Sequence, residues 1–258
     1  MRRKIRLFAG LAVALALLGG LMTLESRSLP GDILYVLKTS IDEPLTALES
    51  SFSAESRTQV AASQAEARLV EAEHLAAQQR LDPATAKMLT VSFNARSGDA
   101  IRGIDELALG NAEAGASIAS LFTAALSAHA GVLQGLPGNE AAMMLSEVAK
   151  ARATLEVTGN RTTRALLSGR AGADMESAAW HAIEQAGSEI VAARYAAASP
   201  AGMHAAAGQE LQLSAAEDAL AAAKDKQDAK VYIDAFNLAL RARGQAHAVR
   251  IVSDAAGY

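Results

Sequence analysis

The sequence predicts an all-α protein: an N-terminal apolar helix followed by an antiparallel helical bundle or a stack of helical hairpins. Three observations predict it. Apolar residues make up 51% of the 258 positions but aromatics only 4%, and much of the apolar content is Ala, the best helix former and a poor strand former. Apolar positions recur three and four apart over long windows. Pro, Gly, Ser, Asp and Asn fall between those windows, where helices start and stop. No strand is predicted.

Residues 1–6 form a basic tail (Arg2, Arg3, Lys4, Arg6), and Leu7 to Leu24 carries no charge. As a helix this run is ~27 Å long against a hydrocarbon core of ~30 Å. The preceding cations place the N-terminus inside and the rest outside a membrane. Two outcomes stay open. An uncleaved signal anchor is favoured by length. A cleaved signal peptide needs small residues at the cut: Ala14-Leu15-Ala16 lies mid-core, and Ser26-Arg27-Ser28 lies late.

Ser28 to Lys38 joins this run to the helical part. Pro30 and Gly31 make a turn, and Asp32 suits an N-cap. Ile33, Leu34, Tyr35, Val36 and Leu37 follow as a short helix, which Pro44 ends with Asp42 as the next cap.

Leu29-Pro30-Gly31-Asp32, then Leu34-Tyr35 and Lys38, resembles the start of a bacterial extracytoplasmic domain family of unknown function, with its Leu-Pro-Gly-Asp-x-Leu-Tyr-x-x-Lys motif after a signal or anchor segment. The family's second motif is matched by Ala65, Glu66, Arg68, Leu69, Glu71, Ala72, Leu75 and Ala76. Where the family has Pro after the Tyr, this chain has Val36. The resemblance spans about residues 28–135. It implies an α-helical envelope domain and no activity, so these residues stand as a structural motif.

Seven helices are predicted beyond the joint. Ser53 caps about 54–79, with Ala62, Ala65, Leu69, Ala72 and Ala76 on one face. Asp82-Pro83 combines a cap with Pro at the first helical position and opens about 83–109, with Ala86, Thr90, Phe93, Ser97, Ala100, Ile104 and Leu107 in register. Gly110-Asn111 separates it from about 112–134, with Ile118, Leu121, Phe122, Ala125 and Val132. The short links predict antiparallel packing. Gly135-Leu136-Pro137-Gly138 is the clearest boundary and divides 25–135 from a second helical segment, 136–258. Asn139 is the expected cap of about 140–168, with Met144, Val148, Ala151 and Leu155 inward and a polar stretch, Thr158-Gly159-Asn160, able to break it. Helices of about 173–198, 200–226 and 229–255 follow, opened by the loop 168–172, Ser199-Pro200 and Asp228. Met175, Ala179, Ile183, Ala186, Ile190 and Ala193 share a face of the fifth. Short similarities, such as Ser146-Glu147-Val148 with Ser188-Glu189-Ile190, recur at spacings that disagree, so no regular repeat is defined.

With no Cys there is no disulfide, thiolate metal site or Cys nucleophile. The formal charge is −4, and since all 28 acidic residues follow the apolar run while four of the 24 basic ones precede it, the part from Glu25 onward carries −8. That is a poor nucleic-acid surface. Glu71-x-x-His74 has the spacing of a bundle di-iron ligand pair but lacks a second copy. His181 with Glu184, Met143-Met144 and Met203-His204 are single pairs, better suited to surface and core roles than to copper. No nucleophile elbow or phosphate loop occurs. Dispersed carboxylates, and Arg68 with Glu71, read as solvated helix faces with i, i+3 support. Trp180 and Tyr195, near one face of one helix, read as core, or else as an exposed aromatic anchor. Arg241, Arg243 and Arg250 with Tyr232 and Phe236 make the last helix locally basic, suited to opposing the helix dipole or to meeting lipid or an acidic partner.

The expectation is a membrane-tethered extracytoplasmic interaction or scaffold module with a protein or cell-envelope partner, without cofactor or metal. A sensor with a ligand pocket between helices comes second, and an enzyme last.

Overall fold

The computed structural model describes residues 53–168, 174–199 and 206–257. The apolar run 7–24 and the joint 28–38 lie outside them. Among the described residues the secondary structure is seven α-helices: α1 (Ala54–Ala77), α2 (Pro83–Gly110), α3 (Ala112–Gly135), α4 (Asn139–Leu167), α5 (Met175–Ala197), α6 (Ala206–Asp228) and α7 (Tyr232–Ala255). Ser50–Tyr258 forms one compact unit.

Local chemistry sets the ends. Ser53 Oγ accepts the Ser56 N–H at 3.0 Å, and Asp82 Oδ1 accepts those of Ala84 and Thr85 at 2.9 and 3.1 Å, satisfying donors that a helix start leaves open. Asn111 alone separates α2 from α3. Its N–H donates to Leu107 O at 2.7 Å, and its side chain accepts the Ala114 N–H at 3.2 Å, so one residue closes one helix and caps the next. Gln79 and Lys230 take positive φ, 57° and 60°, just past the ends of α1 and α6. Their left-handed backbone turns the chain back.

Four expectations are corrected here. Asn139 is the first residue of α4 rather than its cap; Gly138, at φ 105°, holds the cap position without a side-chain bond. Asp228 ends α6, and Val231 precedes α7 with no side-chain cap. Asp174 caps α5, which begins at Met175 rather than 173. Thr158-Gly159-Asn160 does not break α4, because Thr158 and Thr162 turn inward and are buried while the Thr162 and Thr163 hydroxyls donate to Gly159 O. These threonines are polar by composition but face the core. Of the expected stripes, Ala62, Ala65, Leu69, Ala72 and Ala76, then Phe93, Ile104, Phe122, Met144, Val148 and Leu155, are buried, while Thr90, Leu121, Val132 and Met175 are half-buried, and α3 turns Leu126 and Leu133 inward instead of Leu121 and Val132.

Side-chain pairs fix the directions. Thr58 meets Gly103 and Gly115 meets Leu107, so α2 runs antiparallel to α1 and α3. Thr90 with Met144, Asn94 with Glu147 and Asp105 with Arg161 keep a near-constant offset, so α2 and α4 are parallel. Arg194 with Glu217 and Gln227 with Glu176 make α5 and α6 antiparallel. Gln185 with Arg243 and Glu189 with His247 make α5 and α7 parallel. Helices α1–α4 form one group and α5–α7 another, and they join where α7 packs on α3. Ala and Gly permit that seam: a Cβ on Gly244 would sit 3.2 Å from Ala124 Cβ.

By length and composition α3 is the one described helix able to cross a membrane. In this fold it is the central element, packed against α1, α2, α4 and α7.

Close approach also predicts opposite outcomes for two glycines. A Cβ on Gly103 would lie 2.2 Å from Thr58 Oγ1, whereas one on Gly131 meets nothing within 4 Å. Gly131→Ala is expected to stabilise by up to about 1 kcal/mol from helix propensity. Gly103→Ala should instead cost about 1–3 kcal/mol through overpacking. Urea denaturation of both variants checks this, and equal gains would mean that α1 and α2 are not so close.

Candidate functional site

Helices α4 and α7 each pack on α3 but not to any extent on each other. The space between them is an open trough of about 950 Å³. Its floor is Ala116, Ala119, Ser120 and Ala124 of α3, with Gly159 and Gly244 where the walls come closest. Residues four apart build the walls: Arg152, Glu156 and Asn160 on α4, and Asn237, Arg241 and Gln245 on α7. That spacing keeps side chains on one face of a helix.

The trough is polar on its walls and has no aromatic lining. Arg152 and Arg241 stand exposed on facing walls, and neither makes an ion pair or hydrogen bond within the described residues. Glu156 is the one acidic residue of the lining. Gln245 Oε1 is buried and has no hydrogen-bond partner. The chemistry offered is hydrogen bonding and positive charge along a channel; nothing in it resembles a nucleophile with its base.

Two buried polar clusters lie elsewhere. Glu73 of α1 and His129 of α3 are both 1% exposed at the side chain, with His129 Nδ1 2.8 Å from Glu73 Oε1. Burial pushes the Glu73 carboxyl above its usual range, and the hydrogen bond and charge of His129 offset only part of that. Glu73 Oε2 and His129 Nε2 have no partner. The second cluster pins α7. His247 Nδ1 lies 3.0 Å from Glu189 Oε1 of α5, and its Nε2 lies 3.5 Å from Glu66 Oε2 of α1. Burial alone would lower the His247 pKa; hydrogen bonds and charges of Glu189 and Glu66 outweigh it and raise it to about 9. Glu189 is pushed up by burial, yet its bond to His247 and the charges of Arg250, His247 and Arg243 hold it below the usual value.

The sequence signals for these clusters were faint. Glu73 lies four after Leu69, and His129 lies four after Ala125 and before Leu133, so each continues an apolar stripe. A titratable residue on such a stripe is the signal that was available. His247 had none, because Glu66 and Glu189 reach it only through packing.

The remaining candidates fall as follows. Arg68, Leu69 and Glu71 of the second motif are buried on α1, and Arg68 Nη1 donates to Glu71 Oε2 at 2.8 Å. That corrects the reading of this pair as solvated: it is an interior pair. His74 bonds Gln78. Leu29, Pro30, Gly31, Asp32, Leu34, Tyr35 and Lys38 lie outside the described residues, as do Met203 and His204. Met144 is buried and accepts a bond from Thr90, while Met143 is 38% exposed. His181 and Glu184 form an exposed pair at 3.9 Å. Among the described residues no group of three or more His, Asp or Glu is placed to hold a metal.

Trp180 and Tyr195 are not core. They are 56% and 78% exposed, because α5 turns Ile183, Ala186 and Ile190 inward and leaves the opposite face to solvent. Trp180 and Val191 border a shallow groove with Leu220 and Lys224 of α6. The arginines of α7 are corrected too. Arg243 donates to Ser117 and Gln185, and Arg250 lies 3.4 Å from Glu189, so of the three only Arg241 is without an ion pair or hydrogen bond among the described residues.

Residues 27–121 match the family model described as Domain of unknown function (DUF5667). The resemblance read between Leu29 and Ala76 lies inside this match. The match ends within α3 rather than near residue 135, so the DUF5667 stretch supplies α1, α2 and part of α3, while the trough walls come from beyond it. No curated protein and no solved structure matches the chain.

Proposed function

We propose that this is a membrane-tethered, extracytoplasmic interaction or scaffold module of a bacterial envelope, held by residues 7–24 and presenting its helical part to a protein partner. The trough between α4 and α7 carries this reading. It is long, open and floored by small residues, which suits a macromolecular segment better than a small molecule, since small-molecule sites enclose most of their ligand. The net acidic, cysteine-free part after the apolar run agrees with a role outside the cytoplasm and away from nucleic acid.

The test is site-specific photocrosslinking in membranes of cells carrying the full chain, with the crosslinker at Ala153 or Ala248 in the trough and at Leu109 outside it. One adduct from the trough positions that is absent at Leu109 is the expected result. No adduct at any position, with a small molecule retained on purification, would favour the ligand-binding alternative. Recovery of the full-length chain in the cytosol would remove the tether.

A further inference from the structure

We infer that the trough takes a single α-helix with an acidic face, lying along α3 between α4 and α7; this rests on the interaction reading above. Length comes first. The α4 wall from Ala149 to Thr163 and the α7 wall from Asn237 to Ala248 span about 16–21 Å at helical rise, which is three to four turns. The floor comes second. Ala116, Ala119 and Ala124 leave room for another helix axis at the short end of the packing range, about 8 Å. Helices α4, antiparallel to α3, and α7, parallel to it, already flank the floor, so an added helix makes a fourth rod beside them. Charge decides the chemistry. Arg152 and Arg241 line the opening from opposite walls and make no ion pair among the described residues, against a single carboxylate in the lining, Glu156. A helix bearing carboxylates toward Arg152 and Arg241 pairs with both, while a basic helix meets two cations for the one carboxylate, Glu156.

The probe is a set of three labelled alanine-based peptides, long enough to be helical in isolation, identical except for Glu, Gln or Lys at the wall-facing positions. Binding to the full chain in detergent is read by fluorescence anisotropy. The Glu peptide is expected to bind about tenfold or more tighter than the Lys peptide, a gap of about 1.4 kcal/mol, and to weaken as salt rises. The double variant Arg152→Glu/Arg241→Glu should reverse that order, and both positions are exposed, so its melting curve should match the parent's. Ala153→Trp should abolish binding of all three by filling the trough. Equal affinity for the three peptides, or an order unchanged by charge reversal, would overturn the inference. So would binding of soluble cell-wall fragments in the trough with no peptide bound. A trough crosslink to a partner that is indifferent to the reversal would sink the acidic helix and leave the interaction reading standing. Charge-selective peptide binding without any crosslinked partner would do the opposite.

Discussion

Raising the pH from 7 to above 9 is expected to loosen α7 from α1 and α5. His247 is the clamp: its ring sits between Glu66 and Glu189, and its pKa is raised from 6.5 to about 9. A histidine raised in the folded state contributes stability that is fully present below its unfolded pKa. That contribution is lost as pH climbs through the folded value. A shift of this size corresponds to about 3 kcal/mol, or roughly 6–10 °C in Tm for a domain of this length. Glu66, Glu189, Arg250 and Asp254 face the ring, and Arg243 lies against Glu189. Thermal melts at pH 6.5, 8 and 9.5 for the parent and for His247→Gln separate the clamp from lysines and tyrosines that titrate higher. The parent should lose stability across the window and the variant much less. Parallel curves would mean that His247 is neutral in the fold.

The second large effect sits in the interior. His129→Leu leaves the Glu73 carboxyl buried with no partner, and removing one member of a buried pair costs about 3–5 kcal/mol. Glu73→Leu leaves the buried imidazole without its carboxylate partner, a smaller penalty of about 1–3 kcal/mol. Replacing both with Leu exchanges an imperfectly satisfied polar pair, with Glu73 Oε2 and His129 Nε2 unpartnered, for apolar packing. The double variant is therefore expected to recover to parental stability or beyond. A double-mutant cycle by urea denaturation reads the coupling. Additive losses would show that the two side chains do not meet.

The clamp and the buried pair were the least legible parts of the sequence, for one reason. Each joins residues more than fifty positions apart, Glu73 with His129 and Glu189 with His247, and periodicity reports only which face of its own helix a residue occupies. Glu73 and His129 lay on apolar stripes, so their burial was readable while their partnership was not. Trp180 and Tyr195 failed in the opposite sense. Large aromatics are usually inward, but α5 already fills its inward face with Ile183, Ala186 and Ile190, and the register left no room for them.

What the sequence alone determined is local. Alanine content and the three-and-four spacing made helices, and Ser53, Asp82-Pro83, Gly110-Asn111 and Leu136-Pro137-Gly138 divided them, because capping and turn chemistry act within a few residues. What only the tertiary structure decided is the meeting of helices: α7 settling on α3 through Gly244, the ion pairs pinning it, and the channel left where α4 and α7 stand apart. Those depend on side-chain volumes and charges summed across distant segments, a quantity that no single window of the chain contains.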